Sequence, residues 1–183
     1  MTDAILLVDD EMNVIKALQR ALIDEPYTVQ AATNAEQALQ MAASQRFKVV
    51  ISDERMPGMG GAELLAIYKQ RYPETVRIML TGHASIEATM KAVNNGEIYR
   101  FFTKPWNDVD LKLALRSALE KYDLEDENRR LLKTVKRQAV NLRNLEKHYP
   151  GITSITKDQS GSVVLPEMSD EEIAEIIATC NKE

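Results

Sequence analysis

Apolar positions in the first hundred residues follow two alternating rhythms. Residues 4–8 form an unbroken apolar run, and residues 47–51 and 76–80 are similarly rich in Val, Ile and Leu. Short runs of this kind suit strands buried on both faces. Between them the spacing becomes helical, at Val14, Ala17, Leu18, Ala21 and Leu22 up to the break at Pro26, and again at Ala38, Leu39, Met41 and Ala42 behind a capping Asn34. The turn-rich stretch 56–61 leads into Leu64, Leu65, Ile67 and Tyr68, and residues 85–93 are helical before a stop at Gly96. Residues 27–31 and 99–103 complete the set of β-prone segments. Five strands alternating with helices predict an α/β fold, a parallel sheet with helices on both faces.

Helix breakers divide the rest. Five of the seven glycines and four of the six prolines lie in residues 1–105, and residues 106–149 hold neither. That block reads as one helix, capped by Asn107 or Asp108 and about 64 Å long at ~1.5 Å per residue. Leu111, Leu115, Ala118 and Tyr122 form a stripe suited to packing on the sheet. From Leu124 a 4-3-4-3 spacing runs through Asn128, Leu131, Val135, Gln138, Leu142 and Leu145 to Tyr149, as in a coiled coil, with Asn128 at a position where a buried Asn favours a parallel dimer. In the tail, residues 152–155 and 162–165 flank a possible hairpin turn, and residues 169–172 open a short acidic helix with a capping box.

Composition narrows the function. A net charge of −5 over 183 residues excludes a strongly basic nucleic-acid binder. One cysteine, Cys180, excludes a disulfide framework, and two histidines, His83 and His148, argue against a histidine-rich metal hydrolase. With no membrane span or secretory segment in view, the expectation is a cytoplasmic protein without a membrane partner. Arg129, Arg130, Lys133, Lys136, Arg137 and Arg143 form a run without acidic neighbours. A solvated coiled-coil face accounts for it better than a nucleic-acid surface, since no helix-turn-helix follows.

The chemistry gathers at the strand ends. The first strand leads into Asp9-Asp10, the third into Asp53, the fourth into Thr81 and the fifth into Lys104. Ligands of open α/β sheets bind at the carboxyl ends, where strand order reverses. With the order 2-1-3-4-5, the first and third strands are neighbours, Asp10 and Asp53 face each other, and Thr81 and Lys104 complete the rim. Clustered carboxylates suit a hard divalent cation such as Mg²⁺. An ionised Asp can attack phosphorus, with a metal, a lysine and a hydroxyl stabilising the transferred group.

Residues 1–122 resemble the response-regulator receiver domain of bacterial two-component signalling, on Val8-Asp9-Asp10-Glu11, Ser52-Asp53-Glu54-Arg55-Met56-Pro57-Gly58, Leu80-Thr81-Gly82 and Phe102-Thr103-Lys104-Pro105. The resemblance implies a flavodoxin-like five-stranded sheet. It implies that Asp53 is the phosphoacceptor, that Asp9, Asp10, Asp53 and the backbone carbonyl of Arg55 hold Mg²⁺, and that Thr81 and Lys104 contact the phosphoryl group. It also implies a cis Lys104–Pro105 peptide. Between Gly96 and Lys104 the chain has one residue more than single-domain chemotaxis regulators. Counting back from Lys104 makes Phe101 the aromatic switch position, with Tyr99 and Phe102 as alternatives. Arg55 and His83 border the pocket mouth.

The reading is therefore a receiver in residues 1–122, a probable coiled coil in 123–149 and a small tail in 150–183. A histidine kinase or phosphotransfer protein would phosphorylate Asp53. The signal would pass through the fourth helix, the last strand and the long helix to a homodimer, joined through Leu124, Asn128, Leu131, Val135, Leu142 and Leu145, and on to an unknown downstream protein. The chain would be no enzyme beyond its own phosphotransfer and dephosphorylation. The alternatives are the receiver module of a larger cyclic-dinucleotide phosphodiesterase or other output protein, which residues 96–106 resemble, and an unphosphorylated dimeric scaffold.

Overall fold

The computed structural model describes residues 3–82, 98–149, 156–157, 163–164 and 169. The expected helix at 85–93, Gly96, His83, the acidic helix after Ser169 and Cys180 lie outside the described residues. The chain forms two compact units, residues 1–130 and 131–183.

In the first unit, β1 (Ala4–Val8), α1 (Met12–Ala21), β2 (Thr28–Ala32), α2 (Ala35–Ser44), β3 (Val49–Asp53), α3 (Gly61–Arg71), β4 (Val76–Thr81) and β5 (Arg100–Thr103) precede α4 (Asp108–His148), which begins there. The strands form one sheet in the order β2-β1-β3-β4-β5, every neighbouring pair parallel. Register matters most at the carboxyl end. Val8 pairs with Ser52, Asp53 with Leu80, and Thr81 with Thr103. Asp9, Asp53, Thr81 and Lys104 therefore emerge nearly level along one edge.

Period-two alternation sends side chains to opposite faces of the sheet. Ile5, Leu7, Ile51, Ile78 and Leu80 meet Leu18 and Leu22 of α1 and Leu111, Leu115, Ala118 and Tyr122 of α4. Leu6, Val8, Val50 and Met79 meet Ala35, Ala38 and Ala42 of α2 and Leu64, Leu65 and Tyr68 of α3. Burying each large side chain stabilises the fold by roughly 1.5–3 kcal/mol. The caps follow the sequence. Asn34 Oδ1 accepts the Gln37 N–H at 2.8 Å, and Asn107 Oδ1 accepts those of Val109 and Asp110 at 2.8 and 3.2 Å.

Two expectations shift. The third strand spans 49–53 rather than 47–51, so Asp53 is its last residue. Phe47 is buried just before it, and Lys48 donates its N–H to the Ala4 carbonyl at 2.9 Å. Period-two alternation over residues 99–103 predicts Tyr99 and Phe101 on one face; instead Tyr99 packs with Phe102 against the α1/α4 core and Phe101 against the α2/α3 core. Tyr99 precedes β5 and so lies outside its pleat.

The start of α4 is tied to the sheet. Lys48 Nζ lies 2.5 Å from both Asp3 and Asp123, and 5.6 Å from the Tyr122 ring centroid. In α4, Leu124, Leu131, Val135, Leu142 and Leu145 are all exposed, Leu124 at 63% and Val135 at 59%. In the second unit, β6 (Thr156–Lys157) and β7 (Val163–Val164) form a short antiparallel pair.

Candidate functional site

The site is built where hydrophobic strands end. β1 and β3 are held in the sheet by buried Val, Ile and Leu, so the residues that follow are fixed in position. Asp9 is 1% exposed and Asp53 6%. Lys104 Nζ joins them, 2.8 Å from Asp9 Oδ2 and 2.5 Å from Asp53 Oδ1. The remaining carboxylate oxygens also accept hydrogen bonds. Glu11 N–H donates to Asp9 Oδ1 at 2.9 Å, and Arg55 N–H donates to Asp53 Oδ2 at 2.9 Å. Charge-assisted bonds of this kind contribute roughly 1.5–3 kcal/mol each.

Lys104 is placed from two directions. Its N–H donates to the Thr81 carbonyl at 2.9 Å, continuing the sheet by one rung. The peptide to Pro105 is cis, a state that X–Pro bonds reach far more readily than others. Thr81 is fully buried at the end of β4, and its hydroxyl reaches the Glu54 carboxylate and the Gly82 carbonyl, 2.9 Å away in the latter case.

Electrostatics follow from burial. Desolvation pushes the Asp9 carboxyl above the ordinary carboxylate range, against the opposing pull of Lys104 and the Glu11 N–H, while the Asp53 charge adds to the rise. For Lys104, burial acts downward, but hydrogen bonds and attraction from Asp53 and Asp9 outweigh it and raise the ammonium above its usual value. The ammonium is thus firmly charged.

Of the sequence candidates, the structure brings Asp9, Asp53 and Lys104 into direct contact and sets Thr81 at the adjoining strand end. Asp10, which strand order predicts to face Asp53, is exposed instead, because Asp9 takes the inward position on Lys104, and Arg55 is exposed as well. Phe101 is half-buried against the α2/α3 core. Leu124, Leu131, Val135, Leu142, Leu145 and Asn128 are exposed along α4.

Two residues carry more of the site than spacing suggested. Glu54 is a partner of Thr81, a link made across strands and invisible to pattern reading. Gly61 closes the 54–61 loop by donating its N–H to the Glu54 carbonyl at 2.9 Å. A Cβ at Gly61 would fall 1.9 Å from the Asp53 carbonyl oxygen, so only glycine lets α3 approach this closely. The Gly60-Gly61 pair was the available signal. Gly58, with φ +76°, makes the turn within the same loop.

A five-stranded doubly wound sheet with a buried Asp-Asp-Lys cluster at the β1/β3 carboxyl ends defines a class: α/β proteins that handle an anionic group at the strand switch point. Residues 5–116 match the response regulator receiver domain family, and the chain belongs to it. The chain is 36% identical over 127 residues to the hydrogenase transcriptional regulatory protein HoxA of Cupriavidus necator, covering 69% of this chain and 26% of that protein. It is 35% identical over 133 residues to the nitrogen assimilation regulatory protein NtrX of Azorhizobium caulinodans, covering 72% of this chain and 29% of the other. The chain thus spans about a quarter of the length of these curated relatives. Among solved structures, the receiver domain of an HD domain-containing protein from Pseudomonas fluorescens Pf-5 superposes with a TM-score of 0.65 at 47% identity, covering 69% of this chain and 93% of that one. A Rhodopirellula baltica structure described as adenylate cyclase gives a TM-score of 0.69 at 35% identity, covering 73% and 98%.

Response regulators receive phosphate from histidine kinases, and receiver domains generally bind Mg²⁺ at the phosphorylation site. The donor chemistry here fits such an ion. Asp9 and Asp53 bring two carboxylates against the one Lys104 ammonium, and Asp10 follows Asp9 in the chain, so the three acids carry an excess of negative charge that a divalent oxygen-seeking cation would balance. In the present side-chain positions, no group of three or more His, Cys, Asp or Glu converges tightly enough to hold a metal among the described residues. Asp10 is exposed at the rim. No described helix is long and apolar enough to cross a membrane.

Proposed function

We propose that Asp53 accepts a phosphoryl group from the phosphohistidine of a histidine kinase or phosphotransfer protein, with Mg²⁺ held by Asp9, Asp10, Asp53 and the Arg55 backbone carbonyl. The observation that carries this reading is the Lys104 ammonium shared by two buried carboxylates from adjacent strands. An Asp53 carboxylate oxygen attacks phosphorus. The new O–P bond forms as the P–N bond of the phosphohistidine breaks, and the imidazole nitrogen leaves with the bonding pair. When bound, Mg²⁺ supplies charge neutralisation at the phosphoryl oxygens. Lys104 holds the attacking carboxylate and then the charge on the product. Thr81 ends β4, beside β3, and its hydroxyl is suited to donating to a phosphoryl oxygen. Reversal by water returns Asp53 and inorganic phosphate, and no other reaction is assigned to the chain.

Phosphorylation adds about two negative charges at the carboxyl edge. We assign the response to Thr81 and to repacking of Phe101 against its half-buried face, with population shift between two states passing to the segment 123–149. The exposed row at Leu124, Leu131, Val135, Leu142 and Leu145, with Asn128 between, supports a homodimer as the output geometry. The receiver is assigned to 1–122 and the tail to 150–183. The setting is the cytoplasm, and the downstream partner is a protein. Incubation with Mg²⁺ and a small acyl phosphate, followed by intact mass, tests the reading. Wild type should gain one phosphoryl group. No gain, or the same gain in Asp53→Asn, removes it.

The 47% identity to the receiver of an HD domain-containing protein favours a second reading, in which the same receiver serves a larger output protein. The two differ in output rather than in the chemistry at Asp53. Expression of the whole coding region, followed by a cyclic-dinucleotide hydrolysis assay, separates them.

A further inference from the structure

Among the described residues, the Thr81 hydroxyl has one proton and two acceptors within reach, the Glu54 carboxylate and the Gly82 carbonyl. Of these the carboxylate is the stronger, because it is charged. Its delivery is fixed by backbone on both sides. The Glu54 N–H donates to the Leu80 carbonyl at 2.9 Å, and the Glu54 carbonyl accepts the Gly61 N–H at 2.9 Å. Thr81 itself is fully buried and pinned in β4. Hence the proton that a phosphoryl oxygen at Asp53 would require is already committed, one residue along the chain from the acceptor.

We infer that Glu54 is a positioning residue that latches Thr81 in the resting state and competes with the phosphoryl group for its hydroxyl proton. The inference rests on Asp53 being the phosphoacceptor. A carboxylate accepts hydrogen bonds only, as does a phosphoryl oxygen, so the one proton serves one or the other. Engaging the phosphoryl group breaks the Glu54–Thr81 bond, and the strength of that bond sets how readily the protein leaves its resting state.

The test uses the full chain with Mg²⁺ and beryllium fluoride as the phosphoryl analogue. Affinity is read from the emission of Trp106, the sole tryptophan, which packs on the core one residue past Pro105, and is cross-checked by calorimetry. Glu54→Gln keeps the shape but makes a weaker, neutral acceptor, and should bind about tenfold more tightly. Glu54→Asp keeps the charge and shortens the reach, so it should gain an intermediate amount. Thr81→Val removes the proton while keeping the volume. In that background Glu54→Gln should change affinity less than about twofold, whereas in Thr81→Ser it should act as in wild type. An equal gain with and without the hydroxyl, or no gain for Glu54→Gln in the wild-type background, overturns the latch alone. A wild type that neither binds beryllium fluoride nor labels at Asp53 overturns the phosphoacceptor reading, and the latch with it.

Discussion

Replacing Gly61 by alanine places one methyl group against the backbone of the phosphoacceptor itself. The added Cβ would lie 1.9 Å from the Asp53 carbonyl oxygen, 2.8 Å from its carbonyl carbon and 3.0 Å from Ser52 Oγ. Ordinary contact begins near 3.4 Å, so β3 and the start of α3 must separate by about 1.5 Å. Neither partner is a flexible side chain. The separation also stretches the Gly61–Glu54 backbone bond, now 2.9 Å. Overpacking costs about 1–3 kcal/mol and a weakened hydrogen bond about 1 more, against at most ~1 kcal/mol gained in helix propensity. A net loss of about 2 kcal/mol should lower Tm by about 4–8 °C. The effect on chemistry should be larger, since an ~1 Å misplacement of a reacting group costs about 100-fold in rate. Circular dichroism melting and the rate of phosphoryl incorporation measure the two. Gly82→Ala, whose Cβ would meet nothing within 4 Å, is the control and should leave Tm unchanged. A Gly61→Ala protein with wild-type Tm and labelling rate would refute the close approach on which the argument stands.

Asp9→Asn should raise Tm at neutral pH in metal-free buffer while reducing Mg²⁺-dependent labelling. Burial makes ionised Asp9 unfavourable in the fold, so its penalty sets in as pH rises above the ordinary carboxylate value, and the variant's advantage should vanish in acid. Lys104→Met leaves two buried carboxylates without their cation and should cost about 3 kcal/mol at neutral pH by denaturant titration. Because the Lys104 value is raised in the fold, the wild type's advantage is fully present below the ordinary lysine value and should shrink as pH climbs through the raised one. Leu131→Lys with Val135→Lys should turn a dimer into a monomer in sedimentation velocity without changing the labelling of Asp53; an unchanged sedimentation coefficient would rule out α4 as the dimer seam.

Much of this was legible before any coordinates. Buried strands announce themselves as short apolar runs, and Asp9, Asp53, Thr81 and Lys104 each follow one directly, so pattern and topology together brought them to one edge. Strand order predicts Asp10 facing Asp53, yet it is Asp9 that turns inward. Asp9 is buried on Lys104 and Asp10 is exposed, a choice made by the first bend after β1. Glu54 and Gly61 went unassigned because their roles are contacts across strands and loops, which carry no period. Tyr99 departs from the alternating pattern because it lies one residue before the strand that enforces it. The Lys48 bridge to Asp3 and Asp123 joins residues 75 positions apart and leaves no local trace.

Borohydride reduction after phosphorylation reads the central claim at single-residue level, because it converts an aspartyl phosphate to homoserine while free carboxylates survive. Peptide mass spectrometry of the treated protein should find homoserine at position 53, dependent on Mg²⁺ and absent from Lys104→Met. Reduction at Asp9, Asp10 or Glu54 in place of Asp53, or none anywhere on a folded, magnesium-loaded chain, would contradict the account.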